Sequence, residues 1–150
     1  RDLPRMETLQ NEYSLLCRLF DTDLSETCVR EDVTLLAFSP IACGYLTGKY
    51  QNGAIPPGSR KAVSNSASGR DTPRVYPAVD AYLEIANRHG LDPVVMALAW
   101  CWSRPFSTIP IFGATTMDQL ETALKAADVT LPQAVLDDID AAHKVHPMPY

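Results

Sequence analysis

The sequence predicts an α/β fold with parallel strands, because strand-like and helix-like segments alternate along its 150 residues. Residues 33–38 are almost all apolar, which is typical of a strand that is buried on both faces of a parallel sheet. A second apolar run at residues 109–112 also predicts a short buried strand, and Gly113 and the start of a helix follow it. A chain of this length predicts a single domain spanning residues 1–150.

The first strand is predicted within residues 7–13. Polar Gln10 and Asn11 lie near its end, where a parallel strand would face a ligand. A short helix is predicted at residues 24–30, with Asp21 or Asp23 as its N-cap. The strand at residues 33–38 then completes a strand–helix–strand unit.

Two helices are predicted in the middle of the chain. The first spans residues 77–89, and Gly90 is its C-terminal cap. Asp92 and Pro93 supply an N-cap and a first-turn proline for the second helix, which continues to Trp102. This second helix is apolar almost all round, which predicts that it is buried between layers.

The third strand contains Pro110, which is unusual because a central strand needs every backbone N–H. Thr116 and Gln119 fit a capping box, so a helix is predicted to begin there. Leu120, Leu124 and Ala127 are predicted to lie on one face of this helix. The last helix is predicted at residues 132–143, and its inward positions are Val135, Leu136, Ile139 and Ala142.

Residues 45–76 form an unusually long segment between the second strand and the next helix. They hold four of the seven glycines and three prolines. Five Lys or Arg residues against one acid give this segment a charge of +4, so the rest of the −5 chain carries −9. Two interpretations are open: a solvated, mobile loop, or a basic clamp whose cations close over phosphates.

Composition excludes several classes of protein. The net charge of −5 argues against a nucleic-acid binder or an anionic-membrane binder. No apolar run approaches the roughly 20 residues that span a bilayer, and no signal-peptide pattern opens the chain at Arg1. Four cysteines without a C-x-x-C motif predict reduced thiols in the cytoplasm. No metal site is expected, and His143 and His146 are interpreted as surface residues.

Three strands suit part of a (β/α)8 TIM barrel better than a complete doubly wound sheet. In such barrels ligands lie at the carboxyl ends of the strands, and the last two strand-to-helix loops often bind phosphate. The last two such loops here are the basic segment and the turn at residues 113–119. Both are therefore expected to meet at one rim around an anion.

Three motifs resemble the aldo-keto reductase superfamily. They lie at residues 10–14 (QNEYS), 37–50 (AFSPIACGYLTGKY) and 113–120 (GATTMDQL). The likeness is greatest to the branch that contains the Tas-type bacterial reductases and the potassium-channel beta subunits. The resemblance covers essentially the whole chain and implies the C-terminal half of that family's barrel, its last three strands with their helices.

The resemblance implies a site for NADP(H). It implies that Gln10 bonds the nicotinamide amide and that Phe38 stacks on the nicotinamide ring. The family positions that hold the phosphates or the adenosine end of NADP(H) match these residues: Ser39, Ile41, Gly44, Lys49, Arg60, Gly113, Thr115 and Gln119. Other roles stay open for single residues: Phe38 could pack in the core, Lys49 could be solvated, and Thr115 could be a capping hydroxyl.

The resemblance also implies that the chemistry is incomplete. The family's tyrosine, lysine, aspartate and histidine come from the N-terminal strands, and no position here matches them, so no catalytic residue is assigned. Three situations are expected: a fragment of a longer protein, a half-barrel that pairs with a separate N-terminal half or with itself, or a non-catalytic remnant. A small carbonyl substrate is expected only if the barrel is completed. The alternatives are a nucleotide-binding or interaction module and an unrelated phosphate-binding barrel.

Overall fold

A computed structural model describes residues 3–64 and 67–150 of the chain. Within these residues, three parallel strands form one sheet: β1 (Thr8–Glu12), β2 (Thr34–Phe38) and β3 (Thr108–Ile111). The α-helices are α1 (Leu24–Glu31), α2 (Arg60–Val63), α3 (Val75–Arg88), α4 (Pro93–Trp102), α5 (Met117–Lys125) and α6 (Gln133–Val145). No helix among the described residues is both long enough and apolar enough to cross a membrane.

The sheet has the order β1-β2-β3, so β2 is its central strand. On one face Leu35 and Ala37 are completely buried, as predicted. The other face is open: Ile109 is 52% exposed and Ile111 is 42% exposed, while Phe38 is only half-buried. The prediction that residues 33–38 are buried on both faces is therefore wrong, and the strand predicted to be buried at residues 109–112 is exposed at Ile109 and Ile111. In a closed barrel the inner face is covered by side chains of the other strands, and three strands cannot enclose one.

Pro110 has a simple explanation in this sheet. It pairs with Ala37 of β2, and within the described residues β3 has no partner on its other side. A proline is tolerated in an edge strand because the loss of its N–H need not remove a hydrogen bond between strands.

Helix α4 is the centre of the helical layer. The Asp92 side chain accepts hydrogen bonds from the backbone N–H groups of Val94 and Val95, which confirms the predicted N-cap. Every residue from 95 to 101 is buried, in agreement with the apolar pattern. Helix α3 begins at Val75, two residues before its predicted start.

The face of α5 that carries Leu120 and Leu124 is not the face that the helix buries. Leu124 is 56% exposed and Ala127 is exposed, whereas Ala123 and Ala126 are buried and Leu120 is half-buried. The larger leucine points outward, against the expectation from hydrophobicity alone.

Helix α6 buries Val135 and Ile139 as predicted, while Leu136 and Ala142 are half-buried. The interpretation of His143 as a surface residue is wrong. Its ring is half-buried, and its Nδ1 atom is buried without a hydrogen-bond partner among the described residues. Burial, together with the nearby Arg18, lowers the pKa of His143, and Asp21 and Asp140 offset this only in part.

The lowered pKa of His143 predicts a loss of stability in mild acid. The folded chain favours the neutral ring, so protonation favours the unfolded chain as pH falls below about 6.5, the usual histidine value. Urea titrations at several pH values should show this decline in the parent chain and a weaker one in His143→Gln. His146→Gln is the matched control, and an identical pH dependence in His143→Gln and the parent would contradict the prediction.

Candidate functional site

The loops that follow β2 and β3 enclose a cleft of about 570 Å³. We name its three sides by the elements beside them. The β2 wall contains Cys43, Gly44 and Lys49; the α2 wall contains Pro57, Gly58, Ser59 and Arg60; the α5 wall contains Gly113, Thr115, Thr116 and Gln119. A smaller pocket of about 200 Å³ contains Ser39 and shares Cys43, Arg60 and Gly113 with the cleft.

The β2 wall has a tight backbone with unusual dihedral angles. Ser39, Ala42 and Cys43 have φ values of 56°, 48° and 55°, a region that residues other than glycine seldom adopt. The turn is closed by hydrogen bonds from the Ala42 N–H to the Ser39 carbonyl (2.8 Å) and from the Gly44 N–H to the Ile41 carbonyl (2.9 Å). Backbone strain of this kind costs about 1–3 kcal/mol per residue and is concentrated at binding sites.

Gly44 makes space for Lys49 at the cleft. A Cβ atom at Gly44 would lie 2.8 Å from Lys49 Cε and 2.9 Å from Lys49 Nζ. Gly44 also has a φ of +91°, which disfavours any larger residue. The Lys49 ammonium lies 5.3 Å from the centre of the Tyr50 ring, a cation–π distance.

The α5 wall is the beginning of a nine-residue helix. The Thr116 side chain accepts a hydrogen bond from the Gln119 N–H (3.3 Å), which confirms the predicted N-cap. The Gln119 side chain accepts hydrogen bonds from the Thr115 N–H (2.9 Å) and hydroxyl (3.2 Å). In a standard capping box this side chain would accept from the N–H of the N-cap, Thr116, so the donor here is the residue before the N-cap. The positive end of the helix dipole therefore faces the cleft and favours an anion.

The basic segment is folded and anchored. Tyr45 and Tyr50 are completely buried, and the segment includes α2; residues 65 and 66 of the segment lie outside the described residues. Lys61 Nζ lies 3.0 Å from Asp71 Oδ2 and 2.7 Å from the Tyr76 hydroxyl. Hydrogen bonds from Tyr76 and Lys61 lower the pKa of Asp71.

Arg70 provides a second anchor for the segment. It donates to Glu12 at the end of β1 at 2.6 and 3.0 Å, and the Tyr150 hydroxyl donates to the same carboxylate at 3.0 Å. Lys61 and Arg70 thus face inward, whereas Lys49 and Arg60 line the cleft. The interpretation of the segment as a solvated, mobile loop does not fit this structure, and only part of its charge is directed at the cleft.

The structure brings most of the residues predicted for the site together, but not all of them. Ser39 lies in the smaller pocket, and the cleft contains Gly44, Lys49, Arg60, Gly113, Thr115 and Gln119. Gln10 and Phe38 lie outside both pockets, on the open face of the sheet, and Ile41 packs against the core.

Sequence reasoning missed three residues of this region. Cys43 lines both pockets, and the Ser59 side chain caps α2 by accepting from the Ala62 N–H (3.3 Å). A serine directly before a helical segment is a recognisable N-cap signal, so Ser59 could have been found. Tyr50 is buried beside the cleft, and no local pattern marks that position.

Comparisons with known proteins agree with the motifs. Residues 3–144 match the profile of the aldo/keto reductase family. The chain is 46% identical over 148 residues to the protein Tas of Escherichia coli, and the match covers 99% of this chain and 43% of Tas. It is 36% identical over 137 residues to a probable voltage-gated potassium channel subunit beta of Arabidopsis thaliana, covering 87% of this chain and 42% of that protein.

Among solved structures, the chain is similar to a glycerol dehydrogenase from Gluconobacter oxydans, with a TM-score of 0.73 at 18% identity. The match covers 93% of this chain and 42% of the dehydrogenase. The three strands and their helices are therefore part of a (β/α)8 barrel, as the sequence predicts. The chain spans less than half the length of each of these proteins.

Gly44→Ala should weaken the binding of inorganic pyrophosphate to the cleft severalfold, because the new methyl group displaces Lys49. Gly53→Ala is a matched control, since Gly53 also has a left-handed φ (+74°) but has nothing within 4 Å of a new Cβ. Both variants should lose about 1–2 kcal/mol of unfolding free energy in urea titrations. Isothermal titration calorimetry should separate them, and equal pyrophosphate affinities would contradict this role of Gly44.

Proposed function

Because the chain belongs to the aldo/keto reductase family, we propose that its cleft binds NADP(H) and that it is the cofactor-binding half of a reductase of aldehydes or ketones. One observation carries this proposal. Side chains more than 50 residues apart in the sequence, Lys49 and Arg60 on one side and Thr115 and Gln119 on the other, line the same cleft. This is the arrangement expected if the two loops hold one phosphorylated ligand.

The residues present fit such a ligand. Lys49 and Arg60 supply two positive charges, and the first turn of α5 supplies a helix dipole of the same sign. Gly44 leaves the space that a close approach of phosphate to backbone needs. When bound, NADPH supplies the hydride for reduction of a carbonyl group. The chain's own part is to bind and orient the cofactor.

In this proposal Gln10 and Phe38 serve the nicotinamide end. Both lie on the open face of the sheet, Gln10 pairing with Leu36 and Phe38 with Ile111. The apolar Ile111 lies beside Phe38 on β3, and Glu12 lies beside it on β1. A ligand lying there would be exposed to water unless further strands covered it.

We therefore propose that the missing strands of the barrel cover this face. The partner is an N-terminal half-barrel on the same or a separate polypeptide, and pairing with a second copy is the alternative. Support comes from the exposed Ile109 and Ile111, and from β1 and β3, which each have one edge without a strand among the described residues. Open edges and an open apolar face favour association.

A second candidate function is a nucleotide-binding module without turnover. The resemblance implies that the family's catalytic tyrosine, lysine, aspartate and histidine have no matching position in this sequence. The 36% identity to a probable potassium channel subunit beta supports considering such a module. Without a positioned general acid, a rate enhancement of about 10²–10⁴-fold is lost.

We also infer a cytoplasmic location. All four cysteines are unpaired, and three of them are buried in the core. Free thiols are typical of proteins in a reducing compartment.

Lys49→Ala and Arg60→Ala should weaken NADPH binding at least tenfold in combination, since each removes a charged partner of a phosphate. The loss should be greater at about 20 mM than at about 200 mM salt because screening is weaker. Arg74→Ala is the control, because Arg74 is a cation of the same segment that lines a different groove. Fluorescence titration measures the affinity, with flavin mononucleotide as comparison; unchanged NADPH affinity in the double variant, or tighter binding of the flavin, would contradict the proposal.

The 150-residue chain alone should oxidise NADPH with a reactive aromatic aldehyde at close to the uncatalysed rate. Adding the separately expressed N-terminal part of Escherichia coli Tas should restore turnover, because the family resemblance implies that this part would supply the acid and cover the open face. Absorbance at the NADPH maximum follows the reaction, and the N-terminal part alone is the control. Turnover by the chain alone would refute the half-barrel, and binding without turnover in the mixture would favour the module.

A further inference from the structure

We propose that Tyr50 is the positioning residue of the cleft: its hydroxyl ties the β2 wall to the α2 wall, and its ring supports Lys49. Tyr50 is completely buried and is absent from the residues that line the cleft, so it acts through its neighbours. The expected effect on NADP(H) rests on the function proposed above, whereas the effect on the walls themselves does not.

The hydroxyl joins two segments that also meet where the Lys61 ammonium lies 6.0 Å from the centre of the Tyr45 ring. It accepts a hydrogen bond from the backbone N–H of Lys61 (3.3 Å) and donates to the backbone carbonyl of Cys43 (3.5 Å). Cys43 belongs to the β2 wall, and Lys61 follows Arg60 of the α2 wall directly. One buried side chain therefore bridges the two walls through two long hydrogen bonds.

The ring has a second task. It lies under the Lys49 ammonium at 5.3 Å, and a Cβ at Gly44 would meet the far end of the same lysine at 2.8 Å. Lys49 is thus held between the backbone of Gly44 and the face of Tyr50. A long, flexible cation loses considerable rotamer entropy when it binds, and support before binding reduces that cost.

The position of Tyr50 is itself fixed by the core. Its ring packs against Tyr45 with 4.9 Å between ring centres, and Tyr45 in turn contacts the ring of Tyr76 on α3. Lys61, beside these rings, is held by Tyr76 and Asp71, and the hydrogen bond to Tyr76 raises its pKa. The α2 wall is therefore attached to α3 through a lysine and to the β2 wall through a tyrosine.

Tyr50→Phe separates the two tasks, because it removes the hydroxyl and keeps the ring. It should lower NADPH affinity about threefold to tenfold, the effect of losing one or two neutral hydrogen bonds. Tyr82→Phe is the matched control: Tyr82 is equally buried and its hydroxyl donates to the Leu15 carbonyl at 2.9 Å, away from the cleft. Both variants should lose similar thermal stability, and only Tyr50→Phe should lose affinity.

A double-variant cycle tests whether Tyr50 acts through the α2 wall. In an Arg60→Ala background, Tyr50→Phe should lose at least half of its effect on NADPH affinity, since the cation that the wall presents has gone. An effect that is undiminished in this background would overturn the proposal. So would a Tyr50→Phe chain that binds NADPH as tightly as the parent.

Hydrogen exchange of the Lys61 amide tests the positioning role without any ligand. Exchange should be about threefold to tenfold faster in Tyr50→Phe and unchanged in Tyr82→Phe, because only the former removes the acceptor of that N–H. If the parent binds no NADPH, the proposed function fails, and this measurement alone decides the role of Tyr50. Unchanged exchange in Tyr50→Phe overturns it.

Discussion

Parallel pairing of β2 with β3 is the constraint on which the cleft depends. The register aligns Phe38 with Ile111, the last residues of the two strands. Because the strands run in the same direction, both loops leave from the same end of the sheet, the one formed by the carboxyl ends of the strands. Residues that are far apart in the sequence, such as Gly44 and Thr115, then line a single cleft. Antiparallel pairing would place the two loops at opposite ends of the sheet.

The basic segment divides its charges between structure and binding. Lys61 bonds Asp71 within the segment and the Tyr76 hydroxyl of α3, and Arg70 bonds Glu12 at the end of β1, so both cations hold the segment in place. Lys49 and Arg60 remain directed at the cleft. The positive charge that makes the segment conspicuous in the sequence therefore has two roles: part of it pairs with carboxylates of the chain itself, and part of it faces the cleft.

The open face of the sheet gives the chain an asymmetry that a closed barrel lacks. Helices cover Leu35 and Ala37, whereas Ile109 and Ile111 on the opposite face stay exposed. The phosphate end of the proposed site is built within this chain, and the nicotinamide end lies on the uncovered face. In the proposed function, nucleotide binding and catalysis would be separable, since only catalysis needs what would cover that face.

The sequence by itself determined the order and type of the elements, because their signals are local. Asp92 and Thr116 cap helices through bonds to residues two or three positions away, and the apolar run around Leu35 marks a strand. The motifs also indicated which loops would form the site. Tertiary structure decided which side of each element is covered and where each charge points. Leu124 lies outward, His143 is half-buried, and Tyr50 joins two walls, since each outcome depends on neighbours that are distant in the sequence.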